Sequence, residues 1–167
     1  MKNPRLIRNI IACLLLAAVS GLVAQICPAQ VDNSAAVAEL GSLLKQHDDA
    51  LAQKNLDALM ALYAEGNNTV MMGTGPGERW EGKEAIREAF GQIVKDYDKS
   101  AGRDCYWRNG GVNGDMAWVA AMCKMSDTLK NKKREYELNI SAVFEKQNGA
   151  WRVRAMHYSN VVSGKKP

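Results

Sequence analysis

The sequence predicts an α+β fold in which helices come first and a meander of long antiparallel strands follows. Three observations carry that prediction. Between Val37 and Tyr97 apolar residues recur at intervals of three and four, the spacing of buried helix faces. After Gly102 the period drops to two, as it does along a half-buried strand. Turn signals at Asn113-Gly114 and Gln147-Asn148-Gly149 separate the strands. Helices gathered ahead of strands point to a sheet covered on one face.

The elements follow in order. Val37, Leu40, Leu44, His47 and Leu51 form one stripe of a first helix, with Asn33 or Ser34 as its N-cap. Asn55 caps a short second helix carrying Leu56, Leu59, Met60 and Tyr63, ended by Gly66, Asn67 and Asn68. Residues 69–72 read as a short strand and 73–77 as a loop. Trp80 lies in a brief extended piece, Gly82 breaks the chain, and residues 83–98 form a third helix that buries Ile86, Phe90, Ile93 and Tyr97. Strands at 104–109 and 116–125 flank the turn GGVNGD, and Tyr106 and Trp107 point opposite ways on the first of them. Tyr136, Leu138, Ile140, Ala142 and Phe144 alternate along the next strand. In the last strand, strict alternation assigns Trp151, Val153, Ala155, His157 and Ser159 to one face, against Arg152, Arg154, Met156 and Tyr158.

The first thirty residues stand apart. Lys2, Arg5 and Arg8 precede an almost wholly apolar run at 10–24, and a small-residue site follows with Ala29 at its end. That layout predicts a secretory signal peptide over residues 1–29, a secreted or periplasmic protein, and no membrane contact after cleavage. An uncleaved membrane anchor is the alternative. Three of the 22 basic residues lie in this leader and none of the 18 acidic ones, so the remainder carries 19 against 18. A nearly neutral chain gives no support for a nucleic-acid partner. The basic run KNKKR at 130–134 reads as a solvated hairpin turn.

Cys105 and Cys123 are the cysteines left outside the leader, and export permits a disulfide. Hairpin register decides it. A two-residue turn at Asn113-Gly114 sets Cys105 against Met122 and puts the two thiols on opposite faces. A three-residue loop, 113–115, sets Cys105 against Cys123. The second is favoured because exported chains keep few free thiols.

An early helix, the segment LDALMALYAEG, a short strand, WEGKEAIREAF at 80–90 and the closing WRVRAMHYS at 151–159 together resemble the nuclear-transport-factor-2-like (cystatin-like) superfamily, and within it the SnoaL-like proteins. The resemblance covers residues 36–162. It implies a cone: three N-terminal helices closing a curved antiparallel sheet over an apolar pocket, in a chain that forms homodimers. The steroid isomerases of the superfamily use an Asp as general base on the strand after the LYA segment. Here Met72 falls at or beside that position, and a thioether takes up no proton.

Chemistry has few candidates. His47 and His157 are the only histidines, and the patterns turn both inward, where an imidazole in a partly dry pocket can act as acid or base. Asp48 is a possible auxiliary. Ser159 shares the His157 face, without an identifiable oxyanion hole. Tyr63, Trp80, Phe90, Trp118, Trp151 and Ser159 are expected around the pocket. No metal-ligand spacing occurs, and Gly73-x-Gly75-x-Gly77 does not lie between a strand and a helix start, so neither a metal nor a cofactor is expected. The leading expectation is an exported protein that binds a small apolar molecule. An isomerase or lyase using His157 or His47 is the second. The third is an interaction module whose interior is filled and whose outer sheet face binds a protein; an exposed apolar patch there, with no open pocket, is its signature.

Overall fold

The computed structural model describes residues 34–161. The signal-peptide reading of residues 1–29 lies outside that range. Three helices, α1 (Ser34–Ala52), α2 (Leu56–Ala61) and α3 (Lys83–Asp96), pack on one face of a curved six-stranded sheet. Its strands are β1 (Val70–Met72), β2 (Arg79–Glu81), β3 (Tyr97–Asn113), β4 (Met116–Leu129), β5 (Lys132–Gln147) and β6 (Ala150–Asn160), in the order β2-β1-β6-β5-β4-β3. The long strands form the expected antiparallel meander. One pair departs from it: β1 joins β6 in parallel, with Met71 opposite Met156. None of the described helices is long and apolar enough to cross a membrane.

Local chemistry sets the element ends. The Asn55 side chain accepts a hydrogen bond from the Ala58 amide, which closes the first turn of α2. Gly82 links β2 to α3 at a φ of 82°, a conformation that costs a side-chain-bearing residue energy. Its amide donates to the Thr69 carbonyl and its own carbonyl accepts from Ile86, so one residue ends a strand pair and starts a helix. Asn148 and Gly149, both at positive φ, make the tight turn into β6.

The core fills the space between helices and sheet. α1 contributes Leu40, Leu43, His47 and Ala50, and α3 contributes Ile86, Ala89, Phe90 and Val94. The buried face of α1 is turned slightly from the expected stripe: Val37 is exposed, and Leu43 is buried more deeply than Leu44. On the sheet, Ala117, Ala142, Phe144, Trp151, Val153 and Met156 face the helices. A smaller cluster of Cys123, Leu138 and Ile140 continues that face.

Candidate functional site

Alternation along β6 does not survive intact. Val143 of β5 pairs with Ala155, whereas Phe144 pairs with Val153, so Arg154 is an extra residue in β6. This bulge reverses the faces beyond it. Trp151 and Val153 point to the helices before the bulge; Met156 does so after it, and Tyr158 packs against the same core. His157 and Ser159 therefore lie on the outer face, where His157 is flanked by exposed Ser141 and Met72. Their expected inward placement is corrected, and His157 is not joined with His47. Arg154 uses its extra position to bind the Glu145 carboxylate and the 65–69 loop through Thr69 and Asn68.

His47 does lie inside, 1 % exposed. Its ring stands 5.7 Å from Phe90, edge to face, and 5.9 Å from Tyr63. Nε2 lies 3.1 Å from the Tyr63 hydroxyl, while Nδ1 is buried without a hydrogen-bond partner. Burial, helped by the Arg103 charge, drives the imidazole pKa down to about 3, so the ring is neutral at physiological pH. Burial raises the Tyr63 hydroxyl well above its ordinary value, and it stays protonated.

One turn of charge adjoins this pair. Arg103 Nη2 donates to Asp48 Oδ2 at 2.7 Å. Burial still pushes the Asp48 carboxyl upward, with the guanidinium opposing it. Tyr158, raised by burial, lies within reach of both charges. Arg103, Tyr158 and Met156 were not among the expected site residues. Their signal was hidden because each depends on a bulge that alternation alone does not reveal. On β1, where the resemblance led to a comparison with Met72, it is Met71 that is buried, and Met72 is 40 % exposed.

The remaining expected pocket residues divide. Tyr63, Phe90 and Trp151 are buried in the core, and Trp80 packs half-buried against it. Trp118 is on the other side of the sheet: its neighbour Ala117 takes the inward position, leaving the indole 49 % exposed. Among the described residues, one surface concavity of about 560 Å3 lies over β3–β5 and another of about 190 Å3 between α1 and α2. Neither is lined by His47, Tyr63 or Phe90. No group of three metal-ligating side chains converges among the described residues.

The outer face has its own pattern. Trp118, with Met116 beside it at the turn end, and Trp107 and Tyr106 farther down β3 stand exposed. Half-buried Ala120, Met122 and Val143 occupy the ground between. Tyr106 and Trp107 do not alternate as expected. A bulge at Tyr106 leaves both exposed, 50 % and 47 %, and the Tyr106 hydroxyl donates to Glu137 on the outer side of β5.

A family model for the SnoaL-like domain matches residues 41–163, and the chain belongs to that family. Solved structures share the fold. A Salmonella enterica protein of the nuclear-transport-factor-2-like superfamily superposes with a TM-score of 0.71 at 16 % identity, over 79 % of this chain and 96 % of its own. A Xanthomonas campestris protein assigned as a calcium/calmodulin-dependent protein kinase II association domain gives 0.66 at 25 % identity, over 75 % and 88 %. A Streptomyces avermitilis protein assigned as a dehydratase gives 0.66 at 15 %, over 76 % and 97 %. No curated protein matches the sequence.

Proposed function

We propose that this chain is an exported, self-associating SnoaL-like module whose outer sheet face receives a second copy of itself. One observation carries the reading: large apolar side chains gather on the outer face around Trp118 and Trp107, while Tyr63, Phe144, Met156 and His47 fill the interior. Exposed patches of this kind mark contact surfaces. A second copy fits because the face is self-complementary. Asp104, Lys124 and Glu137 lie side by side at one end of it, with Glu135 paired to Lys133, and Arg152, with no carboxylate partner among the described residues, lies about eight residues away along the ladder. A two-fold axis through the apolar middle buries that middle against its own copy and turns the Asp104 and Glu137 carboxylates toward the partner's Arg152. The name of the Xanthomonas relative, an association domain, points the same way. Light scattering on wild type and Trp118→Glu tests it. A dimer that becomes monomeric with unchanged circular dichroism supports the reading; a wild type that is monomeric at tens of micromolar, or a variant that stays dimeric, rejects it.

A second reading, a small-molecule site inside the cone, is favoured by the unpartnered Nδ1 of His47 beside Arg103 and Asp48. Binding there requires the filled interior to open. In this reading the ligand has an apolar body and one polar group that reaches the imidazole. A ligand found by thermal-shift screening and recovered unchanged makes the domain a binder. Turnover that disappears in His47→Gln while binding survives makes it an isomerase or lyase, with His47 in the acid–base role that the sequence offered to either histidine.

A further inference from the structure

The hairpin joining β3 to β4 turns on two residues, Gly114 and Asp115, with Asn113 opposite Met116. In that register the ladder runs down to Trp107 opposite Met122. The next pair, Cys105 opposite Cys123, is displaced by one residue, and Tyr106 is the residue left over. So the cysteines face each other, and are bonded, without the three-residue loop that the sequence favoured. The bulge supplies the shift.

Two side-chain placements depend on that shift, because one residue of slip exchanges the faces of a strand. Below the bulge Arg103 pairs with Met125 and reaches inward to Asp48, while at the bulge Tyr106 and Trp107 both stand on the outer face. Continued straight, the same ladder sets Tyr106 opposite buried Cys123 and Arg103 opposite Ser126. Tyr106 then turns inward and Arg103 outward. In that straight register Cys105 lies opposite Lys124, on the other face from Cys123, and no bond can form.

We infer that the Cys105–Cys123 disulfide is a redox-controlled register lock, which holds Arg103 against Asp48 and Tyr106 on the outer face. A dithiol reductant opens it: two electrons and two protons convert the bridge to two thiols, and the donor becomes its own disulfide. The Cys105 sulfur is the point of attack, since Cys105 is half-buried on β3 and Cys123 is fully buried. β3 is the edge strand, so a slip disturbs a single ladder. The extra residue moves to the irregularity already present between Ser100 and Arg103, where Gly102 accommodates it. Reduction thus withdraws Tyr106 from the proposed contact face and releases Arg103.

The effect on association rests on the self-association reading; the effect on Arg103 does not. The test uses oxidised wild type, dithiol-treated wild type, Cys105→Ser/Cys123→Ser, and a variant lacking Tyr106, in which the cysteines pair without a bulge. A double-mutant cycle of Arg103→Met and Asp48→Asn on thermal stability reads the interior contact in each. Expected is a coupling present when oxidised, absent in reduced and Ser/Ser protein, and insensitive to reduction when Tyr106 is deleted. The dimer dissociation constant is expected to rise at least tenfold on reduction. Coupling that survives reduction in wild type, or that is lost equally in the Tyr106 deletion, overturns the lock. Oxidised protein that stays monomeric rejects self-association alone, while the Arg103 cycle still decides the lock.

Discussion

The Nε2 atom of His47 on α1 lies 3.1 Å from the hydroxyl of Tyr63, inside a core that excludes water from both rings. A histidine in such a place fills space and keeps one hydrogen bond, and it does so uncharged.

That has a consequence for pH. The folded ring has its pKa lowered to about 3, by burial first and Arg103 second, whereas an unfolded histidine accepts a proton near 6.5. Below about pH 6.5 the unfolded chain therefore binds a proton that the folded chain refuses. The contribution to stability is complete above that pH and falls by about 1.4 kcal/mol per pH unit as pH drops toward 3. Urea melts between pH 7 and 4 should show His47→Gln losing less stability over this range than wild type. Parallel curves would contradict the buried neutral ring.

The bulge in β6 makes the two histidines unequal. His47→Ala removes a fully buried ring and should cost about 2–4 kcal/mol. His157→Ala touches the outer face and should cost no more than about 1 kcal/mol. Equal losses in chemical denaturation would return His157 to the interior.

Asp127 anchors the far end of the sheet. Its buried carboxylate accepts from Arg134 Nε and Nη2, each at 2.7 Å, and from the Tyr136 hydroxyl at 2.8 Å. Asp127→Asn loses the charge from all three bonds and should destabilise by about 2–3 kcal/mol, with hydrogen exchange rising at the Lys130–Asn131 turn. A change under about 0.5 kcal/mol would mean that the cluster is solvated.

Phe144 and Trp118 separate the two faces. Phe144→Ala opens the core and should cost about 3–5 kcal/mol, whereas Trp118→Ala should leave the stability of the monomer within about 0.5 kcal/mol. Similar losses at both positions would place Trp118 in the core after all.

Much of the fold was legible because its periods are long and regular. The stripe of α3 and the alternation of β5 each repeat over several turns or pairs, and Phe90, Phe144 and Trp151 are buried where that regularity places them. The site was less legible, since it depends on single-residue events. One extra residue at Arg154 turned His157 outward, and one at Tyr106 brought Arg103 inward and aligned the cysteines. Neither residue type marks a bulge, and a pattern with period two reverses its meaning at each. Trp118 was misplaced for another reason: its large ring argues for burial, yet small Ala117 is the residue that the packed inner face accepts.

Self-association through the outer face is tested most directly by hydroxyl-radical footprinting of Trp118 in intact oxidised protein across a dilution series, with Trp151 as the internal buried reference. Trp118 is expected to become protected as concentration rises, by at least threefold, while Trp151 is unreactive throughout. Trp118 oxidised at one rate from the lowest concentration to the highest would contradict it.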